Sequence, residues 1–120
     1  MRKSQIDELV ASIKRQYYFL SLEELIEALG IHLRVVPPDS QVLDGGLACY
    51  FAVDGARYIY LSWSCPSERQ TFVLAHELGH ALMHDVELAR YGMLFKGRQI
   101  EMEANYFAEQ LVRERGIKEE

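Results

Sequence analysis

The chain has 120 residues and a net charge of −5, and 49% of its residues are apolar. This composition predicts one globular domain over residues 1–120 and excludes a largely disordered chain. The negative charge argues against nucleic acid as a direct partner, and no apolar run is long enough to span a membrane. Residues 1–7 lack the apolar stretch of a secretory signal. We therefore expect a cytoplasmic protein, in which Cys49 and Cys65 remain reduced.

Two amphipathic helices are predicted at the start of the chain. Ser21 and Glu24 form a capping-box pattern at the start of the second helix, and Gly30 is placed to end it. The first helix has one apolar stripe with helical spacing, made of Ile6, Leu9, Val10, Ile13 and Tyr17.

The periodicity then changes to that of β-strands at residues 31–36, 47–53 and 57–61. The Asp54-Gly55 pair between the last two segments is a strong signal for a tight hairpin. In the simplest register the facing pairs are Val53 and Ala56, Phe51 and Tyr58, and Cys49 and Tyr60.

Helices return after the hairpin. One is predicted to begin near Pro66 and to run to about His84. Residues 86–97 are predicted to be a loop or an irregular helix, because Gly92 and Gly97 interrupt the pattern. The last helix has an inward stripe made of Ile100, Ala104, Phe107 and Leu111. Helices that flank a small sheet in this order indicate an α+β fold.

The strongest chemical signal is an H-E-x-x-H motif on a predicted helix, at residues 76–80. Residues four apart on a helix differ by about 40° and rise about 6 Å, so His76 and His80 leave the same face and can reach one zinc ion. Glu77 projects from the flank of that face, where it can act on a water held by the ion. Gly79 costs about 1 kcal/mol relative to alanine, so we expect another segment to pass close to it. The alternative is two ordinary helix histidines beside a solvated carboxylate.

A zinc site with two histidines needs a third protein ligand. We choose Glu101, which stands near the start of the last helix and shares a face with Asn105, whereas Glu103 lies well around the helix. Asn105 would then hold a ligand in position or contact substrate. The alternative role for Glu101 is a favourable charge at a helix N-terminus.

Three other residues near the motifs are assigned different roles. His84 lies about 12 Å along the helix from His76, too far to bind the same ion. We expect His84 to cap the helix end or to orient a neighbouring group. Tyr91 and Tyr106 could each offer a hydroxyl to an oxyanion, but packing is the expected role of both.

The sequence resembles the ImmA/IrrE family of zinc metallopeptidases. Residues 71–80, TFVLAHELGH, carry the H-E-x-x-H motif, and residues 101–108, EMEANYFA, look like that family's E-x-x-A-N-x-F-A segment. The resemblance implies a small zincin-like domain that holds one zinc ion per chain, with His76, His80 and Glu101 as ligands and Glu77 as the catalytic carboxylate. It also implies a cytoplasmic peptidase that cleaves a helix-turn-helix repressor, either in mobile-element induction or in a stress response.

We therefore predict hydrolysis of a peptide bond in a protein substrate, with Glu77 as proton acceptor. We expect the edge of the strand at 57–61 to pair with an extended substrate, because this strand precedes the metal helix. Two alternatives are a zinc-binding regulatory module that binds a protein without cleaving it, and a metal-free interaction domain. An open fourth coordination position would favour the enzyme, because structural zinc sites usually close with four protein ligands.

Overall fold

The structure, a computed structural model, describes residues 1–114, which contain five α-helices, one 3₁₀ turn and a three-stranded sheet. Residues 115–120 of the predicted domain lie outside the described part. The helices are α1 Lys3–Tyr17, α2 Leu22–Ala28, α3 Ser67–Met83, α4 Asp85–Tyr91 and α5 Arg98–Glu114. The strands are β1 His32–Val36, β2 Ala48–Val53 and β3 Ala56–Ser62. The predicted α+β class is confirmed, and none of the helices described is long and apolar enough to cross a membrane.

The start of α2 has the predicted capping box. Ser21 Oγ accepts a hydrogen bond from the Glu24 N–H at 3.1 Å, and Glu24 Oε1 accepts one from the Ser21 N–H at 2.8 Å. Gly30, just beyond the helix, has φ +81°, which an L side chain rarely adopts. Both ends of this helix are therefore set by local sequence.

The predicted hairpin is confirmed with its register. β2 and β3 pair antiparallel, and the three predicted facing pairs are all observed. Asp54 and Gly55 have φ values of 50° and 80°, as a two-residue hairpin turn with the native strand twist requires. β1 pairs with β3 on its other side and runs parallel to it.

The strand order β1-β3-β2 contradicts one prediction about the substrate. β3, which contains residues 57–61, is the central strand, so both of its edges are already paired and an extended substrate cannot add to it. The edge strand next to α3 is β2. There the Tyr50 N–H points away from β3 and donates to Glu77 Oε1 at 2.8 Å.

A second difference concerns the segment after α3. Asp85 to Tyr91 form a regular helix, so the prediction of a loop or irregular helix is wrong for residues 86–91. Leu88 is buried and anchors this short helix to the core, and Gly92, with φ +106°, ends it. Tertiary packing of one leucine therefore stabilises about two turns of helix that show no long periodic pattern.

Close packing of α3 on α5 positions the H-E-x-x-H motif. A Cβ atom added to Gly79 would lie 2.9 Å from Phe107 Cδ2 and 3.5 Å from Ala104 Cα. Real Cβ atoms do not approach a neighbour that closely, so only glycine fits without movement. The expected close approach is confirmed, and it brings the histidine face of α3 against the first turns of α5.

Replacing Gly79 by Ala should lower the free energy of unfolding by about 1 kcal/mol. Overpacking against the buried Phe107 ring costs about 1–3 kcal/mol, and the better helix propensity of alanine returns about 1 kcal/mol. Urea unfolding of the metal-free protein measures the difference. The double variant Gly79→Ala, Phe107→Leu should lose less than the two single variants combined, because the smaller side chain makes room for the methyl group. A higher urea midpoint of unfolding for Gly79→Ala would contradict this account of the packing around Gly79.

Candidate metal centre

Three candidate ligand side chains converge between α3 and the start of α5. His76 Nε2 lies 3.1 Å from Glu101 Oε1, and His80 Nε2 lies 2.9 Å from Glu101 Oε2. The two Nε2 atoms are 3.1 Å apart. Zinc bonds of about 2 Å in tetrahedral geometry separate ligand atoms by roughly 3.3 Å. The two imidazoles and one carboxylate therefore fit a zinc ion in both spacing and chemistry.

Asn105 holds the ring of His76. Its Oδ1 lies 2.8 Å from His76 Nδ1. An amide oxygen only accepts hydrogen bonds, so Nδ1 carries the ring proton of a neutral His76 and Nε2 is left for a metal. The structure thus places Asn105 against a candidate ligand, where the sequence predicted it.

The ionisable side chains at this centre shift one another's pKa values. Burial disfavours ionisation of Glu101, but hydrogen bonds from both histidines outweigh it and hold the pKa of this carboxyl well below its usual value. Burial also lowers the pKa of His76. The hydrogen bond to Glu101 and the charge of Glu77 more than offset that, so the pKa of His76 lies above its usual value. These interactions favour the protonated form of His76 when no metal is bound.

Glu77 lies beside the ligands and is fixed from the sheet by the Tyr50 N–H. Burial raises the pKa of Glu77, and the neighbouring histidines and this N–H oppose the rise. Burial and the charge of Glu77 raise the pKa of the Cys49 thiol to about 12. Cys49 and Cys65 are both buried free cysteines. The protonated Cys49 thiol is unsuited to metal binding, which requires a thiolate.

A cleft of about 290 Å³ opens in front of these residues. Its lining includes Leu47, Ala48, Phe72, His76, Glu77 and Lys96. A smaller cavity of about 40 Å³ reaches His80, Glu77 and Glu101 from the side of α4. Lys96 lines both cavities, and sequence analysis missed it. A single lysine in a loop has no periodic pattern, and only its place in the lining of both cavities singles it out.

Neither tyrosine considered for an oxyanion lines either cavity. The side chain of Tyr91 is 59% exposed. The Tyr106 hydroxyl donates to Asp7 Oδ1 on α1 at 2.7 Å. Both positions agree with the packing roles expected from the sequence.

His84 follows α3 immediately and lies outside the candidate ligand set. Its Nδ1 is 3.0 Å from His80 Nδ1, and its Nε2 is 2.7 Å from Glu103 Oε1. It therefore contacts a neighbouring group, as expected. Glu103 is buried, which opposes its ionisation. The Met1 ammonium, Gln99 and His84 all donate to it, and they lower its pKa to about 2.

Zinc affinity should fall as the pH drops toward the usual histidine pKa of about 6.5 and below it. A ligating histidine must be neutral, so protons compete with the metal. For His76 this competition begins above the usual histidine pKa of about 6.5, because its pKa is raised. Competition with a chelator across a pH series measures the effect, once the proton affinity of the chelator itself is subtracted. Zinc held with equal affinity at pH 7 and pH 4 would contradict this ligand set.

Comparison with known proteins gives one informative match. No curated protein matches the chain significantly. A family model for peptidase M78, described as the IrrE N-terminal-like domain, matches residues 26–119. That span includes the whole sheet, the H-E-x-x-H helix and all three candidate ligands. The chain therefore belongs to the peptidase M78 family, the ImmA/IrrE group of zincin-type metallopeptidases.

Proposed function

We propose that this protein is a zinc-dependent peptidase that hydrolyses a peptide bond in a protein substrate. The observation that carries the proposal is the position of Glu77 beside an N, N, O ligand set at the wall of an open cleft. Structural zinc sites usually close with four protein ligands, whereas the group found among residues 1–114 offers three. Membership of a peptidase family supports the same reading.

The chemistry depends on Glu77. Zinc held by His76, His80 and Glu101 would supply a Lewis acid, which polarises a carbonyl oxygen and lowers the pKa of water to about 7. Glu77 accepts the proton of the attacking water and returns it to the leaving amine. The Tyr50 N–H holds Oε1 in place, and each carboxylate oxygen keeps a lone pair that can accept this proton.

The substrate would lie along β2 rather than β3. Ala48, on this edge strand, lines both cavities, and Leu47 and Phe72 add apolar surface to the cleft. A peptide that adds to a strand edge must be extended. The scissile bond should therefore lie in a loop or linker of the substrate rather than within a folded helix.

We further propose that the substrate is a repressor-like transcription factor with a helix-turn-helix domain, and that cleavage relieves its repression. The two sequence segments shared with the ImmA/IrrE family support this anti-repressor role. The protein would act in the cytoplasm on a protein partner, without binding nucleic acid or a membrane itself. Its net charge of −5 is consistent with a protein rather than a nucleic acid as partner.

The direct test is incubation with a repressor-like protein that has a helix-turn-helix domain. Intact-mass analysis should find two fragments, formed with zinc and absent after chelation. A parallel incubation with a library of extended peptides tests peptidase activity without assuming that substrate. Zinc-dependent binding of the repressor with no cleavage of either substrate would favour the alternative, a regulatory zinc-binding module.

A further inference from the structure

Two buried polar residues lie behind the candidate zinc site. His84 is 1% exposed and Glu103 is 7% exposed, and neither belongs to the ligand set. They connect to the site in one series, in which His80 Nδ1 contacts His84 Nδ1 and His84 Nε2 contacts Glu103 Oε1. Burying such groups is unfavourable unless they are paired. Both groups are paired, and their contacts lead to one candidate ligand, His80. This arrangement needs an explanation.

The proton positions follow from the distances if His80 binds a metal. Its Nε2 faces Glu101 and His76 and must be unprotonated to bind, so the ring proton is on Nδ1. His84 Nδ1, 3.0 Å from that atom, must then accept the hydrogen bond. The His84 proton is therefore on Nε2, from which it is donated to Glu103 Oε1 at 2.7 Å. Every hydrogen bond in the series points toward Glu103.

We propose that His84 and Glu103 are positioning residues for the metal ligand His80. They hold its ring in the tautomer that leaves Nε2 free, and the Glu103 carboxylate, acting through His84, makes His80 a stronger electron donor to the metal. Asn105 likewise fixes the tautomer of His76, but it does so with an uncharged amide. The two histidines of the motif therefore differ, since only His80 is supported by a buried charge.

The surroundings of Glu103 make its substitution informative. Its Oε2 accepts from Gln99 Nε2 at 2.6 Å and from the Met1 ammonium at 2.7 Å, while Oε1 accepts from His84. Glutamine has a single side-chain oxygen, and in Glu103→Gln that oxygen should stay with the two donors. The amide NH₂ would then face His84 Nε2 and force the His84 proton onto Nδ1. Each hydrogen bond in the series would then reverse its direction. The His80 proton would move to Nε2, the atom that should bind the metal.

The first experiment measures zinc affinity by chelator competition for Glu103→Gln and for two variants of His84. Glu103→Gln should weaken zinc binding by about 10- to 100-fold, the usual effect of losing a partner of a metal ligand. His84→Gln keeps an oxygen that can accept from His80 Nδ1, whereas His84→Phe keeps the ring volume but offers no acceptor. We expect tighter zinc binding by His84→Gln than by His84→Phe. A role in packing alone predicts the opposite order, and that order, or unchanged affinity in all three variants, would overturn the proposal.

The second experiment locates the protons directly. Long-range ¹H–¹⁵N spectra of the histidine rings in the zinc-loaded wild-type protein should place the His84 proton on Nε2. A proton on His84 Nδ1 would overturn the proposal even if every variant failed to fold. The inference rests on the proposed zinc site but not on peptidase activity. Failure of the wild-type protein to bind zinc would defeat that site, whereas a wrong tautomer or the wrong affinity order in a zinc-binding protein defeats only this inference.

Discussion

Replacing Glu77 by Gln should leave zinc bound while slowing peptide cleavage by about 10²- to 10⁴-fold, the usual contribution of general acid–base catalysis. The glutamine carbonyl can still accept the Tyr50 N–H, which lies 2.8 Å from Glu77 Oε1. The side-chain volume is almost unchanged, so the local structure should be preserved. The amide cannot take a proton from water, however, and that step is what the substitution removes.

Zinc content and cleavage rate must be measured on the same samples. Glu68→Gln is the matched control, because Glu68 is an exposed carboxylate on the same helix. We expect this control to behave as the wild-type protein in both measurements. Retained zinc together with undiminished cleavage by Glu77→Gln would refute the role assigned to Glu77.

Replacing Glu101 by Gln should weaken zinc binding by more than about 100-fold. Loss of a group that only supports a ligand already costs about 10- to 100-fold, and Glu101 is the one charged member of the candidate ligand set. Its two oxygens lie 3.1 Å and 2.9 Å from the Nε2 atoms of His76 and His80. The neutral amide cannot balance the metal charge, so two histidines would hold the ion alone.

Chelator competition measures this loss, and Glu109→Gln provides an exposed carboxylate on the same helix as control. The metal-free protein allows a second measurement. The hydrogen bond to Glu101 raises the pKa of His76, so that pKa should fall in Glu101→Gln when it is followed by NMR titration. One zinc ion per chain held with wild-type affinity would show that another residue completes the site.

The parts of the structure that could be predicted depend on interactions between residues close together in the sequence. The capping box at Ser21, the Asp54-Gly55 turn and the paired histidines at 76 and 80 each depend on residues no more than four positions apart. Glu101 was harder to predict as a metal ligand, since it lies on a different helix from the two histidines. It could be chosen because helical periodicity separates the faces of Glu101 and Glu103, and because the segment at 101–108 resembles a known family.

The features that could not be predicted are contacts between residues distant in sequence. Nothing local to β3 reveals that β1 pairs with its second edge, which moves the proposed substrate edge to β2. Glu103 was set aside as a ligand because it lies well around the helix from Glu101 and Asn105, yet α3 packs on α5 so that His84 reaches it. Lys96 joins the lining of the cleft only through the path of its loop.

Taken alone, the amino-acid sequence determined four of the five described helices, the hairpin and its register, and the chemistry of the ligand types, because hydrogen bonds and periodicity between near neighbours specify these. Only the tertiary structure decided which strand edge faces the cleft and which buried groups stand behind His80. Those choices depend on how closely whole elements pack. At Gly79, where Phe107 and Ala104 leave no room for a Cβ atom, that packing brings both halves of the candidate zinc site together.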